Sequence, residues 1–509
     1  MPNWGCQLSQ SYVFGSKGTS GSLLGSEELQ RFFPDNQITI FVGTWNMNSH
    51  RAGAKVMTTI FFLEDASLVG KCDIYRQKFK GVKKINDKQA QGETWNRDIT
   101  SSFTSCLLIV EFQAPCKYEL KLLCIDPPAN IDDFLLPLDI NTLPDIYVIG
   151  IQESMQSRDA TRAFLSREVK QWFFRDIVDE DFKKLYQKWQ MREKLEWEVL
   201  LQTTLGPSHV LFTSSSLGVL HLCIFLRRDL IWFCSEPEEA SVTTRPGSMV
   251  KTKGAVAVCF MLFGTSFLFV NSHLTAHEQK LKERLSDYEK IISSIDLPKS
   301  IPLLYFQKQD VSSRNTRMIN VTSKFDCVFW CGDLNFRVIH DRPSVLSFVE
   351  EKVRRSRPSC SFLVKHDQLH QAMTEGRAFH GFKEGVICFI PSYKFDVGTS
   401  TFNSSKLRVP SYTVIVTTEQ DRILYRSKDK SAISCLHYNA VSDILTSDHK
   451  PVYAVFKVAV KAGRDNVPLA AGKFRRDVYL EALKRRSKFL EVRHNQGQSA
   501  ICSIISKII

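Results

Sequence analysis

The stretch Cys327-Val-Phe-Trp-Cys-Gly-Asp333-Leu334-Asn335 sets an apolar and small run directly against a carboxylate and an amide. A continuous apolar run of this length reads as a strand buried on both faces, with the polar residues at its end. The same grammar recurs along the chain. Ile38 to Val42 runs into Gly43-Thr44-Trp45-Asn46, and Asp145-Ile-Tyr-Val-Ile-Gly-Ile runs into Gln152-Glu153. Phe267-Leu-Phe-Val runs into Asn271-Ser272-His273, and Ser447-Asp448-His449 precedes Pro451-Val-Tyr-Ala-Val-Phe. Helix-like stretches lie between them, at His277 to Ile292 and Pro343 to Arg354. Buried strands alternating with helices predict an α/β layered domain.

Composition narrows the function classes. The 509 residues are 43% hydrophobic and 24% charged, ordinary globular values that argue against wholesale disorder. A net charge of +13 suggests an anionic partner: nucleic acid, a phosphorylated ligand or a membrane face. The 14 cysteines show no repeated spacing and no paired CxxC, which favours reduced thiols in a cytosolic setting. The N-terminus lacks a basic region followed by an apolar one, so no secretory signal is expected. The apolar run Ala255 to Val270 is broken by Gly264-Thr265-Ser266 and reads as two strands joined by a turn, not as a membrane span.

Boundaries follow from local composition. Residues 1–25 are rich in Gly and Ser and read as a flexible lead-in. Ser26, followed by Glu27 and Glu28, is expected to cap a short helix. The main domain is expected over 26–460, with insertions near 49–127, 161–194 and 414–420, and a basic helix and tail over 461–509. Arg475, Arg476, Lys484, Arg485 and Arg486 of that helix offer a basic face to anionic lipid or to solvent.

A strand-end carboxylate or histidine is ordinarily structural; here the set carries the reading. Asn46, Glu153, His273, Asp333, Asn335, Asp448 and His449 all stand at ends of apolar strands. Acidic and amide oxygens suit a hard cation such as Mg²⁺. Asp333 and Asn335, two residues apart, can face one side of an extended segment as base and orienting amide. His449 offers a partner for a phosphoryl oxygen. Carboxylates, amides and histidines without thiol ligands point to phosphate-ester hydrolysis.

These segments resemble a known family. Phe41-Val-Gly-Thr-Trp-Asn-Met, Tyr147-Val-Ile-Gly-Ile-Gln-Glu, Asn271-Ser-His-Leu, Trp330-Cys-Gly-Asp-Leu-Asn-Phe-Arg, Pro391-Ser-Tyr-Lys-Phe, Pro410-Ser-Tyr-Thr and Thr446-Ser-Asp-His-Lys-Pro-Val resemble the inositol polyphosphate 5-phosphatases in content and order. Arg227 to Glu236 and Pro468 to Phe474 look most like the phosphoinositide-specific branch associated with cilia and Golgi. The resemblance implies a deoxyribonuclease-I-like (endonuclease/exonuclease/phosphatase) four-layer α/β sandwich. It implies Mg²⁺-dependent removal of the 5-phosphate from phosphoinositide lipids, such as phosphatidylinositol 4,5-bisphosphate and 3,4,5-trisphosphate, by a cytoplasmic enzyme peripheral to an anionic membrane surface. No nucleic-acid partner is expected.

Position by position, the resemblance implies that Glu153 holds the magnesium with Asn46 beside it, and that Asp448 reaches the same region. Asp333 would activate the attacking water, Asn335 would orient water or phosphate, and His273 and His449 would stabilise the developing charge. Asp421 would orient His449. Tyr393, Lys394, Lys406, Arg408 and Arg422 would meet the substrate, with Lys251 and Lys253 weaker candidates. Cys502-Ser-Ile-Ile resembles a prenylation box, although Ser506-Lys-Ile-Ile follows it.

Two departures from the family pattern bear on geometry. Val414 to Gln420 separates Thr413 from Asp421, and a long stretch from Ser49 follows the Asn46 motif. Asp421 can orient His449 only if the extra residues loop outward without shifting the strand. A nuclease of the same fold, or a phosphoinositide-binding protein disabled by the insertions, are the competing expectations.

Overall fold

The structure, a computed structural model, describes residues 23–47, 54–62, 109–113, 117–125, 130–137, 142–154, 191, 194–245, 252–300, 320–340, 343–344, 347–348, 351, 361–402, 421–463 and 468–488. Along the chain the described strands are β1 (Gln37–Asn46), β2 (Ala54–Phe62), β3 (Ile109–Gln113), β4 (Lys117–Ile125), β5 (Ile146–Gln152), β6 (His209–Leu217), β7 (Leu220–Arg227), β8 (Glu238–Thr243), β9 (Gly254–Leu262), β10 (Thr265–His273), β11 (Cys327–Asp333), β12 (Lys383–Glu384), β13 (Asp421–Ser427), β14 (Ile433–Ala440) and β15 (Val452–Ala459). The chain divides into two compact units. One comprises Met1–Asn48, Asn130–Ser154 and Arg192–Ile509; the other comprises Ser49–Ala129 and Met155–Met191. The second unit therefore takes in most of the two longer expected insertions. It contains an antiparallel sheet of order β2-β4-β3. The lead-in up to residue 22, the short insertion 414–420 and the tail beyond 488 lie outside the described residues.

The first unit is built on two six-stranded mixed sheets, β14-β15-β1-β5-β7-β6 and β12-β13-β11-β10-β9-β8. Their inner faces share one apolar core. Ile38, Ile40 and Val42 of β1 and Val452, Ala454 and Phe456 of β15 join Phe267 and Phe269 of β10 and Phe329 of β11. Because side chains alternate along a strand, the intervening residues face outward. On the second sheet these are Leu268, Val270, Val328 and Trp330, which pack with Tyr288, Ile291 and Ile292 of the helix Leu281–Ser294. On the first sheet Phe41, Tyr147 and Tyr453 form an outer aromatic layer, with Phe134 against Phe41 and Trp197 against Trp45. Each fully buried aromatic or aliphatic side chain contributes about 1.5–3 kcal/mol. Helices over two sheets make the four layers of a deoxyribonuclease-I-like sandwich.

Two local expectations are corrected. Ser26 is the first helical residue and Gly25 takes the cap position, with no side-chain cap bond. The helix expected from His277 begins at Leu281, because His277 has φ 74° and its carbonyl is taken by the Arg284 guanidinium. The turn expected inside Ala255 to Val270 is present: β9 and β10 pair antiparallel around Phe263-Gly264. Among the described residues no helix is long and apolar enough to cross a membrane. The free cysteines described there include Cys223, Cys234, Cys259, Cys327 and Cys331, all buried.

What positions the site is the direction of the ladders. β1 runs parallel to β5, setting Asn46 opposite Gln152, and β10 runs parallel to β11, setting His273 opposite Asp333. Antiparallel β13 then starts where β11 ends, so Asp421 lies opposite Asp333. Gly332 makes the close approach possible. It has φ 134°, and a Cβ there would stand 2.0 Å from the Ser272 carbonyl oxygen. Gly332→Ala is therefore expected to cost about 3 kcal/mol, read as a lower urea midpoint at unchanged m-value. An unchanged midpoint would contradict the close approach.

Candidate active site

Each strand that ends at this edge has an inner face that is apolar until its last positions and polar at them. Thr44 and Asn46 follow Val42 on β1, and Gln152 and Glu153 close β5. Asn271 and His273 follow Phe269 on β10, and Asp333 follows Cys331 on β11. The pleat thus aims all of them into the same cleft end.

At its centre is Asp333. Its Oδ2 accepts from Asn46 Nδ2 at 2.9 Å and lies 3.1 Å from His273 Nε2, while Oδ1 accepts from the Asn335 backbone N–H at 3.1 Å. Burial would raise this carboxyl, but His273 beside it, then His449 and Lys253, carry it well below the ordinary carboxylate range. It is held as an anion. Glu153 sits at φ 48° immediately after β5, with Oε1 3.9 Å from His273 Nε2. Lys253 Nζ reaches His273 Nε2 directly. Burial, then Lys253, lowers the His273 pKa, while Asp333 and Glu153 oppose the shift.

On the other flank, His449 Nδ1 meets Asp421 Oδ2 at 2.7 Å. Burial pushes the Asp421 carboxyl up to about 6. Burial opposes the imidazolium of His449, but Asp421, Asp448 and Asp333 together raise it to about 9. Between these values the pair is charged on both sides. Its frame is tight: His449 N–H donates to Ser447 Oγ, whose hydroxyl donates to the Asn46 carbonyl, and Trp45 Nε1 donates to the His449 carbonyl. The Tyr393 ring lies 4.1 Å from the His449 ring, and Lys394 Nζ lies 3.0 Å from Asp448 Oδ2.

The structure thus brings Asn46, Glu153, His273, Asp333, Asn335, Asp421, Asp448, His449, Tyr393 and Lys394 together. Asp448 contacts Lys394, so two expected substrate contacts and one expected ligand share a cluster. Lys406, Arg408 and Cys502 lie outside the described residues. Arg422 is a correction. Its neighbour Asp421 faces the cleft, so Arg422 faces the opposite side of β13, fully buried, donating to Asp367 Oδ2 at 2.8 Å and to both oxygens of Glu384. It is placed as a buried structural cation.

Several participants were not singled out from sequence. Arg337 donates to Asn335 Oδ1 at 3.0 Å, and its guanidinium lies 6.0 Å from the Tyr393 ring centre. Its position two residues after Asn335 was the available signal. Ser392 donates to Asp421 Oδ2 at 3.4 Å, and Ser447 ties two motifs together; neither carries a local signal. For a metal, the donor set fits a hard cation: the Glu153 carboxylate and the Asn46 amide oxygen.

Comparison with known proteins agrees with the fold. A profile of the Endonuclease/Exonuclease/phosphatase family 2 matches residues 124–455. Over 501 residues the chain is 38% identical to phosphatidylinositol polyphosphate 5-phosphatase type IV of Mus musculus, covering 97% of this chain and 58% of the relative. The type II inositol 1,4,5-trisphosphate 5-phosphatase of Mus musculus is 32% identical over 324 residues, 62% of this chain and 27% of that protein. The chain thus spans little more than half the length of these relatives, or less. Among solved structures, the inositol polyphosphate 5-phosphatase domain of SPsynaptojanin, in complex with inositol (1,4)-bisphosphate and calcium ion, superposes with a TM-score of 0.51 at 22% identity, covering 92% of this chain and 97% of that one.

The correction at Arg422 separates two outcomes. Arg422→Met would strand the buried Asp367 carboxylate and the half-buried Glu384, and is expected to cost about 3–5 kcal/mol in denaturant unfolding. A substrate-binding arginine would leave the unfolding midpoint where it was.

Proposed function

The chain belongs to the endonuclease/exonuclease/phosphatase family, and from that premise we propose that it is a magnesium-dependent phosphatase removing the 5-phosphate of phosphoinositide lipids. The observation that carries the reading is the convergence in one cleft of Asp333, bonded by Asn46 and beside His273, with the His449–Asp421 pair. Tyr393 and Lys394 stand at its mouth. The identity with 5-phosphatases supports the same class.

In this reading Asp333 accepts the proton of the attacking water, and Asn46 and His273 keep that carboxylate fixed and anionic. Asn335, steered by Arg337, orients the water or a phosphoryl oxygen. His449, held charged by Asp421, donates to the phosphoryl group as negative charge develops there. A divalent cation at Glu153 and Asn46 supplies further charge neutralisation when bound. Lys394 and Tyr393 meet a neighbouring 4-phosphate, which a nucleic-acid strand lacks. The net charge of +13 supports work at an anionic membrane surface.

The alternative of a disabled, lipid-binding protein rested on displacement of Asn46 and Asp421. Both side chains make their contacts, at 2.9 Å to Asp333 and 2.7 Å to His449, which favours turnover.

Purified protein with magnesium and vesicles containing phosphatidylinositol 4,5-bisphosphate is expected to release phosphate, and chelation of magnesium to stop it. Asp333→Ala should lower kcat on the order of 10²–10⁴-fold. No release from any lipid bearing a 5-phosphate would sink the reading, and faster turnover of abasic DNA would replace it with a nuclease. Asp421→Asn should reduce kcat on the order of a hundredfold. Lys394→Ala should chiefly raise KM, about tenfold or more, for the loss of a charge-assisted contact of about 1.5–3 kcal/mol.

A further inference from the structure

Away from the cleft, on the outer face of the first sheet, three side chains of metal-ligating type converge beneath the helix over 194–205. His221 and Cys223 are two apart on β7 and project from the same face, opposite the core-facing Leu220, Leu222 and Ile224. The helix brings Glu198 down onto them. One ligating atom from each lies within 4.8 Å of the others, and all three residues are buried, at 3%, 1% and 0% exposure for Glu198, His221 and Cys223.

We propose that Glu198, His221 and Cys223 form a cation site separate from the catalytic one, built for zinc or a divalent metal of similar softness.

The imidazole carries the argument. His221 Nδ1 is 2.7 Å from Ser216 Oγ, and Nε2 faces Glu198 Oε1 at 3.2 Å without the alignment of a good hydrogen bond. A buried ring nitrogen and a carboxylate oxygen at that separation need something positive between them, the ring proton or a metal ion. A metal meets that need without the alignment a hydrogen bond requires. Cys223 makes no hydrogen bond among the described residues, and its sulfur closes the third side. The donor set of thiolate, imidazole and carboxylate selects zinc over the hard cation suited to Glu153 and Asn46, because magnesium and calcium take oxygen ligands.

The surroundings fit a supported site. Ser214 donates to Glu198 Oε1 at 2.6 Å, and Arg475 Nη1 stands 3.5 Å from Glu198 Oε2, so the carboxylate is oriented from both sides. Ser216 fixes the ring through its other nitrogen. Binding forms a metal–sulfur bond and releases the thiol proton to solvent, leaving two anionic ligands to balance a divalent cation. The cation would pin the helix over 194–205 to β7. The His221 carbonyl accepts from Asn271 Nδ2, which ties β7 to the catalytic edge.

The test loads the full chain with zinc, removes loose metal by gel filtration in magnesium buffer, and measures zinc by elemental analysis. About one equivalent per chain is expected, with the equivalent lost in Cys223→Ser and in His221→Phe. Cobalt in place of zinc should show the charge-transfer absorption of a cobalt–thiolate bond, absent from Cys223→Ser. A zinc chelator should lower the melting temperature of the parent chain and leave Cys223→Ser unchanged. Substoichiometric zinc in the parent chain, or a full equivalent retained in either variant, would overturn the proposal and leave an ordinary Glu–His pair only.

Discussion

The two sheets are joined at their catalytic edge by side-chain amides, and the remainder of the site depends on that junction. Asn46, from the first sheet, donates to Asp333 of the second. Behind it, Gln152 donates to Asn271 Oδ1 at 2.7 Å, and Asn271 donates to the carbonyls of Ile151 and His221. Buried polar groups must find partners, and here each finds them on the facing sheet. An apolar interface could slide; a set of directional bonds fixes the separation of Glu153 from His273 and Asp333. Gly150 leaves the room this requires, since a Cβ there would stand 2.8 Å from the Asn271 side chain.

Charge follows the same economy of pairing. The cleft gathers Asp333, Glu153, Asp421 and Asp448, and sets Lys253, Lys394 and His449 among them. None of these could be buried alone without a large desolvation cost. Pairing makes the burial tolerable, and burial in turn makes the remaining interactions strong, because a low local dielectric magnifies every contact with a phosphoryl group. The charged state of His449 and the anionic state of Asp333 are two sides of one arrangement.

The strand ends were legible in the sequence because they are written in local pattern: an apolar run, then a polar residue on the alternating inner face. That reading set Asn46, Glu153, His273 and Asp333 at strand ends without any long-range knowledge. What was not legible depends on pairing between distant segments. The Trp45–His449 bond spans 404 positions, and the carboxylates that claim Arg422 lie 38 and 55 positions away. The family resemblance implied that Arg422 would meet the substrate. Strand alternation gives it to the other face, and only the fold shows that Asp367 and Glu384 wait there. The helix start at Leu281 was missed for the same reason, because Arg284 takes backbone carbonyls that a simple helix would have used.

Arg422 explains how Asp421 can keep its position whatever the length of chain ahead of it. β13 pairs with β11 in seven steps, from Cys327 opposite Ser427 to Asp333 opposite Asp421. A slip of one residue would turn every side chain of β13 to the opposite face. Ile423 and Tyr425 would leave the inner core, and Leu424 would leave the outer one. Arg422 would enter the cleft, and Asp367 and Glu384 would be left buried without their cation. The cost of that rearrangement far exceeds the loop-closure entropy of a few additional residues, which grows only as the logarithm of length. Register is therefore set from within the sheet, by Arg422 as much as by the apolar residues. The chain ahead of Asp421 can lengthen while the carboxylate still meets His449.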